Sequence, residues 1–113
     1  MPYIAIRTSC ALSQEQKDEL KSGLGERIAL IPGKDESRLM VDIADGHAMY
    51  LAGVQRELAY VDVKCYRAAE FESKKRFTEA VFQLLEQTVG LPKDAVYLTY
   101  SEFENWGTLG SMK

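Results

Sequence analysis

Pro2 is the residue of this 113-residue chain with the most unusual chemistry on offer. Initiator methionine is expected to be removed when the next residue is small, and the chain would then begin with a secondary amine. The free pair of that amine takes a proton, and the ring fixes its direction. An α-amino group titrates near roughly 7.7 to 8. An apolar pocket or a nearby cation lowers that value, because both disfavour the charged form. The outcome is a general base at neutral pH that needs no histidine. Arg38 stands as far beyond Lys34-Asp35 as Tyr97 stands beyond Lys93-Asp94. That count sets it opposite Tyr97 in a two-half plan, on the open sheet face near Lys34. Its guanidinium suits bidentate binding of an acidic substrate.

Composition removes most other catalytic kits. The chain has one histidine, His47, and two cysteines, Cys10 and Cys65, which make neither a disulfide framework nor a zinc set. No metal and no cofactor are expected. Lys plus Arg is 14 and Asp plus Glu is 17, a net charge of −3, which argues against a nucleic-acid partner. No apolar run approaches the roughly 18 to 20 residues that span a membrane. Met1-Pro2-Tyr3 shows no basic segment followed by an apolar one, so no secretory signal is visible and a cytoplasmic location is expected.

The elements that must hold these residues follow from periodicity. Tyr3 to Thr8 reads as a strand. Ser13 opens a helix with Gln16 completing a capping box, and Leu20, Leu24, Ile28 and Ile31 form its apolar stripe, weakened by Gly23 and Gly25. Leu39, Val41 and Ile43 alternate as a second strand. His47 to Glu57 is irregular, with room for a short helical turn. Tyr60 to Tyr66 is a strand. Ser73 is the expected N-cap of a second helix, whose face carries Phe77, Val81, Leu84, Leu85 and Thr88 and which Gly90 and Pro92 end. Val96 to Phe103 is the last long strand. Pro32-Gly33-Lys34-Asp35 and Leu91-Pro92-Lys93-Asp94 hold the same place in each half, 59 residues apart, and the strands begin 57 apart. The pattern predicts one α+β domain over 1–113 built from a duplicated βαβ unit, about 2–46 and 59–103. Its sheet has four strands of mixed direction, with both helices on one face. The other face would carry Tyr3, Met40, Asp42, Tyr60, Asp62, Tyr66, Tyr97 and Thr99. That mixture suits a wet sheet face or one enclosed by other subunits of an oligomer.

Pro2-Tyr3-Ile4-Ala5-Ile6-Arg7-Thr8, Gly33-Lys34, Tyr60-Val61-Asp62-Val63-Lys64 and Pro92-Lys93-Asp94-Ala95-Val96-Tyr97-Leu98 together resemble the tautomerase superfamily. The branch is that of macrophage migration inhibitory factor and D-dopachrome tautomerase, and Asp94 to Trp106 running into Gly107-Thr108-Leu109-Gly110 is similar to the latter. The resemblance spans nearly the whole chain. It implies a homotrimer with active sites at subunit interfaces, acting without cofactor on small keto acids such as phenylpyruvate. It further implies Pro2 as the catalytic base. Lys34 would lower its pKa and hold a substrate carboxylate. The backbone N–H of Tyr66 would bind substrate, and Tyr97 would line the pocket from an interface.

Departures from the family pattern leave alternatives open. Cys65-Tyr66-Arg67 replaces Ser-Ile-Gly, and Thr99 replaces an asparagine. Glu57-Leu58-Ala59-Tyr60 replaces a Cys-x-x-Cys. Gly107-Thr108 replaces a terminal Gly-Trp, with Trp106 placed to close the pocket instead. Beside the tautomerase stand a binding or signalling protein of the same fold without useful turnover, and a hydratase- or dehalogenase-type enzyme using protonated Pro2 as an acid.

Overall fold

The computed structural model describes residues 1–113. Two strands form its centre, β1 (Pro2–Thr8) and β5 (Ala59–Tyr66), paired antiparallel with Pro2 opposite Cys65 and Thr8 opposite Ala59. Each is flanked by a parallel partner: β2 (Met40–Ala44) beside β1, and β6 (Val96–Phe103) beside β5. The order is β2-β1-β5-β6. A parallel neighbour requires a crossover, and the two helices α1 (Gln14–Arg27) and α2 (Phe71–Val89) supply it.

Alternation along the strands sorts the two faces. Ile4, Ile6, Val61 and Val63 are fully buried under the helices, against Leu20, Leu24, Phe77, Val81 and Leu85. The opposite face carries Tyr3, Met40, Asp42, Tyr60, Tyr97 and Thr99, and is open. It is polar in detail: the Tyr3 hydroxyl donates to Asp42 at 2.7 Å, and Lys64 pairs with Asp62 at 3.2 Å.

Local chemistry sets the element ends. Ser13 accepts from the Gln16 N–H while Gln16 accepts from the Ser13 N–H, a complete capping box on α1. The apolar stripe runs past the end of α1: Ile28 lies in a 3₁₀ turn (Ile28–Leu30), and Ile31 follows it buried. Gly23 is required by packing, since a Cβ there would lie 2.4 Å from a Leu84 methyl of α2. Gly90 caps α2 at φ +79°, with the Gly90 and Leu91 N–H groups turned back onto the Leu85 carbonyl.

Two local expectations are corrected. Ser73 is not the N-cap: α2 starts at Phe71 and its cap position is Glu70, with no side-chain cap. Tertiary contact fixes the start instead, because Glu102 on β6 accepts from the Ala69 N–H at 2.6 Å and pairs with Lys74 at 2.8 Å. The segment 47–57 holds no helical turn. It holds a hairpin of β3 (Tyr50–Leu51) and β4 (Val54–Gln55), whose turn residues Ala52 and Gly53 both have positive φ, the handedness that matches strand twist. A second small hairpin, β7 (Gly107–Thr108) and β8 (Ser111–Met112), ends the chain. No helix is long and apolar enough to cross a membrane.

Candidate active site

Pro2 begins β1 at the edge of the buried layer, and its side chain is buried. Pairing with Cys65 brings the next residue of β5, Tyr66, to the peptide that precedes Pro2. The Tyr66 N–H donates to the Met1 carbonyl at 3.3 Å, and the Tyr66 carbonyl accepts from Lys34 Nζ at 3.3 Å. One residue thus ties the start of β1 to the loop after α1. The Met1 carbonyl that accepts from the Tyr66 N–H is the one bonded directly to the Pro2 nitrogen. When Met1 is cleaved, that N–H loses its partner right beside the new amine.

Two clefts meet at this point. One, of about 450 Å³, is walled by Lys34, Asp35, Arg38, Tyr66 and Arg67. The other, of about 400 Å³, is walled by Pro2, Tyr3, Met40, Trp106 and Leu109. Met1 and Arg38 border both. The first is cationic and the second largely apolar, with Trp106 tilted against Phe103 at 6.1 Å between ring centres. Main-chain hydrogen bonds between Trp106 and Lys113 close the C-terminal hairpin over that side.

The electrostatics follow from burial and from the cations. Burial strips water from the Met1 ammonium and pulls it below the ordinary α-amine value. Lys34 adds to this, then Arg38 and Lys113, while Cys65 opposes it. Burial likewise pushes the Cys65 thiol up, against the pull of Lys34. The molecule's ion pairs are Lys17–Asp45, Arg56–Asp94, Lys64–Asp62 and Lys74–Glu102, so Lys34, Arg38 and Arg67 have no carboxylate partner. Asp35 is occupied in capping the 3₁₀ turn Glu36–Arg38 through the Ser37 N–H at 2.9 Å.

Five of the residues singled out from sequence therefore gather here: Pro2, Lys34, Arg38, Tyr66 and Trp106. Tyr97 does not. It pairs with Tyr60, which pairs with Arg7, five residues along β1 from Pro2. At about 3.4 Å per residue along the strand and about 4.8 Å for each of two strand spacings, that is roughly 20 Å away. The equivalence of Arg38 with Tyr97 is corrected too. Tyr3 faces Met40 as Tyr60 faces Tyr97, so Met40 is the counterpart of Tyr97. The first half has two more residues between Lys34 and Met40 than the second has between Lys93 and Tyr97, and these lift Arg38 out of the sheet into the 3₁₀ turn. Arg38 still borders the cleft with Lys34, from the loop and not from the sheet.

Sequence reasoning gave Met40 no role in the site, and Arg67 only a share in reshaping the pocket wall with Cys65 and Tyr66. Met40 emerges only from strand register. Arg67 had a visible signal, since it stands where the resemblance has glycine. It adopts φ +69°, which costs a non-glycine residue roughly 1 to 2 kcal/mol.

Known proteins share this fold. The family described as macrophage migration inhibitory factor (MIF) matches residues 1–112. The MIF-like protein mif-2 of Caenorhabditis elegans is 24% identical over 102 residues, covering 90% of this chain and 84% of its own. The crystal structure of Leishmania major MIF2 has a TM-score of 0.93 at 21% identity, covering 100% of this chain and 97% of its own. A macrophage migration inhibitory factor homologue from Prochlorococcus marinus has a TM-score of 0.87 at 26% identity, covering 97% of both chains.

Proposed function

The chain belongs to the macrophage migration inhibitory factor family, and from that premise we propose that it is a cofactor-independent tautomerase of small 2-oxo acids, with Pro2 as general base once Met1 is removed. One observation carries the reading: Pro2 lies where a cationic cleft, an apolar cleft and the Tyr66 N–H converge. Burial first, and then Lys34, lowers the amine of Met1, one residue from the nitrogen that Pro2 would expose. A 2-oxo acid matches this layout, with its carboxylate toward Lys34 and Arg38 and its side chain toward Trp106 and Tyr3.

The steps follow from those groups. Lys34 and Arg38 hold the carboxylate by charge-assisted hydrogen bonds. The neutral Pro2 nitrogen takes a proton from the carbon next to the carbonyl. The electron pair moves onto the carbonyl oxygen, and the Tyr66 N–H, freed of the Met1 carbonyl, donates to the developing oxyanion. The proton then returns at oxygen to give the enol, and the reverse path gives the ketone. The family likeness gives Tyr97 a place in this site, and as its own chain holds it about 20 Å from Pro2, it would enter from a neighbouring copy. The homotrimer with shared sites that the family likeness implies would supply that copy.

The test is phenylpyruvate tautomerisation by Met1-free protein beside protein that retains Met1, each verified by mass. Activity confined to the Met1-free form is the expected result. Equal activity in both forms, or none in the Met1-free form, overturns the proposal. In the latter case titration of the Pro2 amine distinguishes a protonated, acid-acting proline from a binding protein.

A further inference from the structure

The reaction just proposed needs one carboxylate to be held, and Lys34 and Arg38 suffice for it. The cationic cleft carries a third fixed cation that this leaves unused. Arg67 closes β5 in a left-handed turn, with its N–H held by the Phe103 carbonyl at 2.7 Å. Its guanidinium carbon lies 5.1 Å from the centre of the Tyr66 ring. That contact holds the charge over the ring and leaves N–H groups of the fork to serve an anion. Lys34 is anchored on the carbonyl of the same tyrosine. Two cations thus flank one residue, on the wall of one cleft.

Carboxylates reach them only through space, Glu102 acting on Lys34 and Asp35 on Arg38. Neither Lys34, Arg38 nor Arg67 is in any of the ion pairs. Asp35 is the only acidic side chain on the wall, and Ser37 occupies it through its N–H and its hydroxyl. Fixed cations on a concave wall concentrate field into the cleft and favour more than one negative charge there.

We propose that the cleft is built for a 2-oxo acid bearing a second acidic group, and that Arg67 binds this second carboxylate beside the one held by Lys34 and Arg38. The inference rests on the tautomerase reading for the identity of the substrate, but the dianion subsite can be tested without turnover.

Succinate and butyrate serve as unreactive probes of equal chain length, titrated into Met1-free protein and followed by nuclear magnetic resonance. Succinate is expected to bind roughly tenfold more tightly, the low end for an added charge-assisted contact to an exposed guanidinium. The preference should shrink as salt is raised. Arg67→Gly removes the cation at a position whose backbone favours glycine, so the variant folds at least as well. It should lower the succinate preference at least fivefold, and Arg67→Lys should retain part of it. A wild-type protein that binds both acids equally, or an Arg67→Gly protein that keeps the full preference, overturns the proposal. In turnover, Arg67→Gly should raise the KM for oxaloacetate at least fivefold more than that for phenylpyruvate. Preference without phenylpyruvate turnover would sink the tautomerase reading and leave the subsite standing. Turnover without preference would sink the subsite alone.

Discussion

Two corners of this molecule share one scaffold and differ in chemistry. At the first, Pro2 and Tyr3 stand beside Met40; at the second, Ala59 and Tyr60 stand beside Tyr97, in the same register. The first corner opens onto unpaired Lys34, Arg38 and Arg67. The second forms a groove of about 150 Å³ whose lining, including Leu51, Leu58, Tyr60, Val96 and Tyr97, is wholly apolar or aromatic. Its lysine-aspartate pair is spent differently: Asp94 pairs with Arg56 at 3.5 Å, and Lys93 lines a separate surface beside α2. Two small differences account for the divergence. The nitrogen of Ala59 is an amide in a continuous strand connection, whereas the proposed cleavage at Met1 would turn that of Pro2 into an amine. Lys34 stands two residues further from Met40 than Lys93 does from Tyr97, the equivalent register position, enough to place Arg38 in a turn over the cleft.

The sharpest way to break this contrast is Pro2→Ala. If the first corner holds the base, kcat/KM for phenylpyruvate falls by roughly 100-fold or more, within the span attributed to a positioned base. Circular dichroism should be unchanged, and an undiminished rate would leave the two corners chemically alike. Nearly as large is the consequence of joining them. Pro2→Ala and Tyr97→Ala chains, each impaired alone, should regain activity when unfolded and refolded together. Random mixing pairs an intact Pro2 with a neighbour's intact Tyr97 at about a quarter of the sites. No recovery would mean that Tyr97 does not complete a site across an interface.

The paired lysines sharpen the comparison further. Lys34→Ala should raise KM about tenfold, the loss expected of one charge-assisted contact. It should also move the rising limb of the pH profile to higher pH. The sign is fixed: a cation disfavours the ammonium form and depresses the amine pKa, so its removal lets that pKa rise. Lys93→Ala should move neither, and identical profiles for the two variants would dissolve the distinction. Arg38→Ala, at an exposed side chain, should raise KM by only about threefold; an unchanged KM removes Arg38 from substrate binding.

The smallest effect concerns stability. Lys74–Glu102 near the first corner is 2.8 Å apart and about four-fifths buried, whereas Arg56–Asp94 at the second is 3.5 Å apart and exposed. Glu102→Gln should destabilise by about 1 kcal/mol at pH 7 and Asp94→Asn by close to zero, read by urea unfolding. Lys74, with the Ala69 N–H, holds the Glu102 carboxyl below its ordinary value. A folded-state pKa below the unfolded one gives stability that is complete above the unfolded value and lost as pH falls through the folded one. The difference between wild type and Glu102→Gln should therefore vanish in acid. A gap that persists there would trace to packing and not to the ion pair.

Much of the scaffold was legible because its signals are local. The Ser13–Gln16 capping box, the Gly90 stop and the alternation in Val61–Val63–Cys65 each need only a few neighbours in the chain to act, and each appears in the structure. The four-stranded mixed sheet and its two covering helices follow from their order. Pro2 and Lys34 were legible as candidates through residue type and family likeness. The start of α2 escaped because Glu102, some 30 residues away in sequence, fixes it. The hairpin at 50–55 escaped because Ala52 hides its left-handed turn under an ordinary residue type.

The sequence by itself determined the elements, the two-faced sheet and the identity of the base candidate, since periodicity, caps and amine chemistry are properties of short segments. Only the tertiary structure decided what surrounds Pro2. Strand register set Cys65 opposite it and brought the Tyr66 N–H to its peptide. Loop length put Arg38 in a turn, the pairing of β5 with β6 carried Tyr97 to the far corner, and a left-handed residue aimed Arg67 into the cleft wall. These depend on which distant segments pair and by what offset. A shift of one residue in either would reverse every facing side chain.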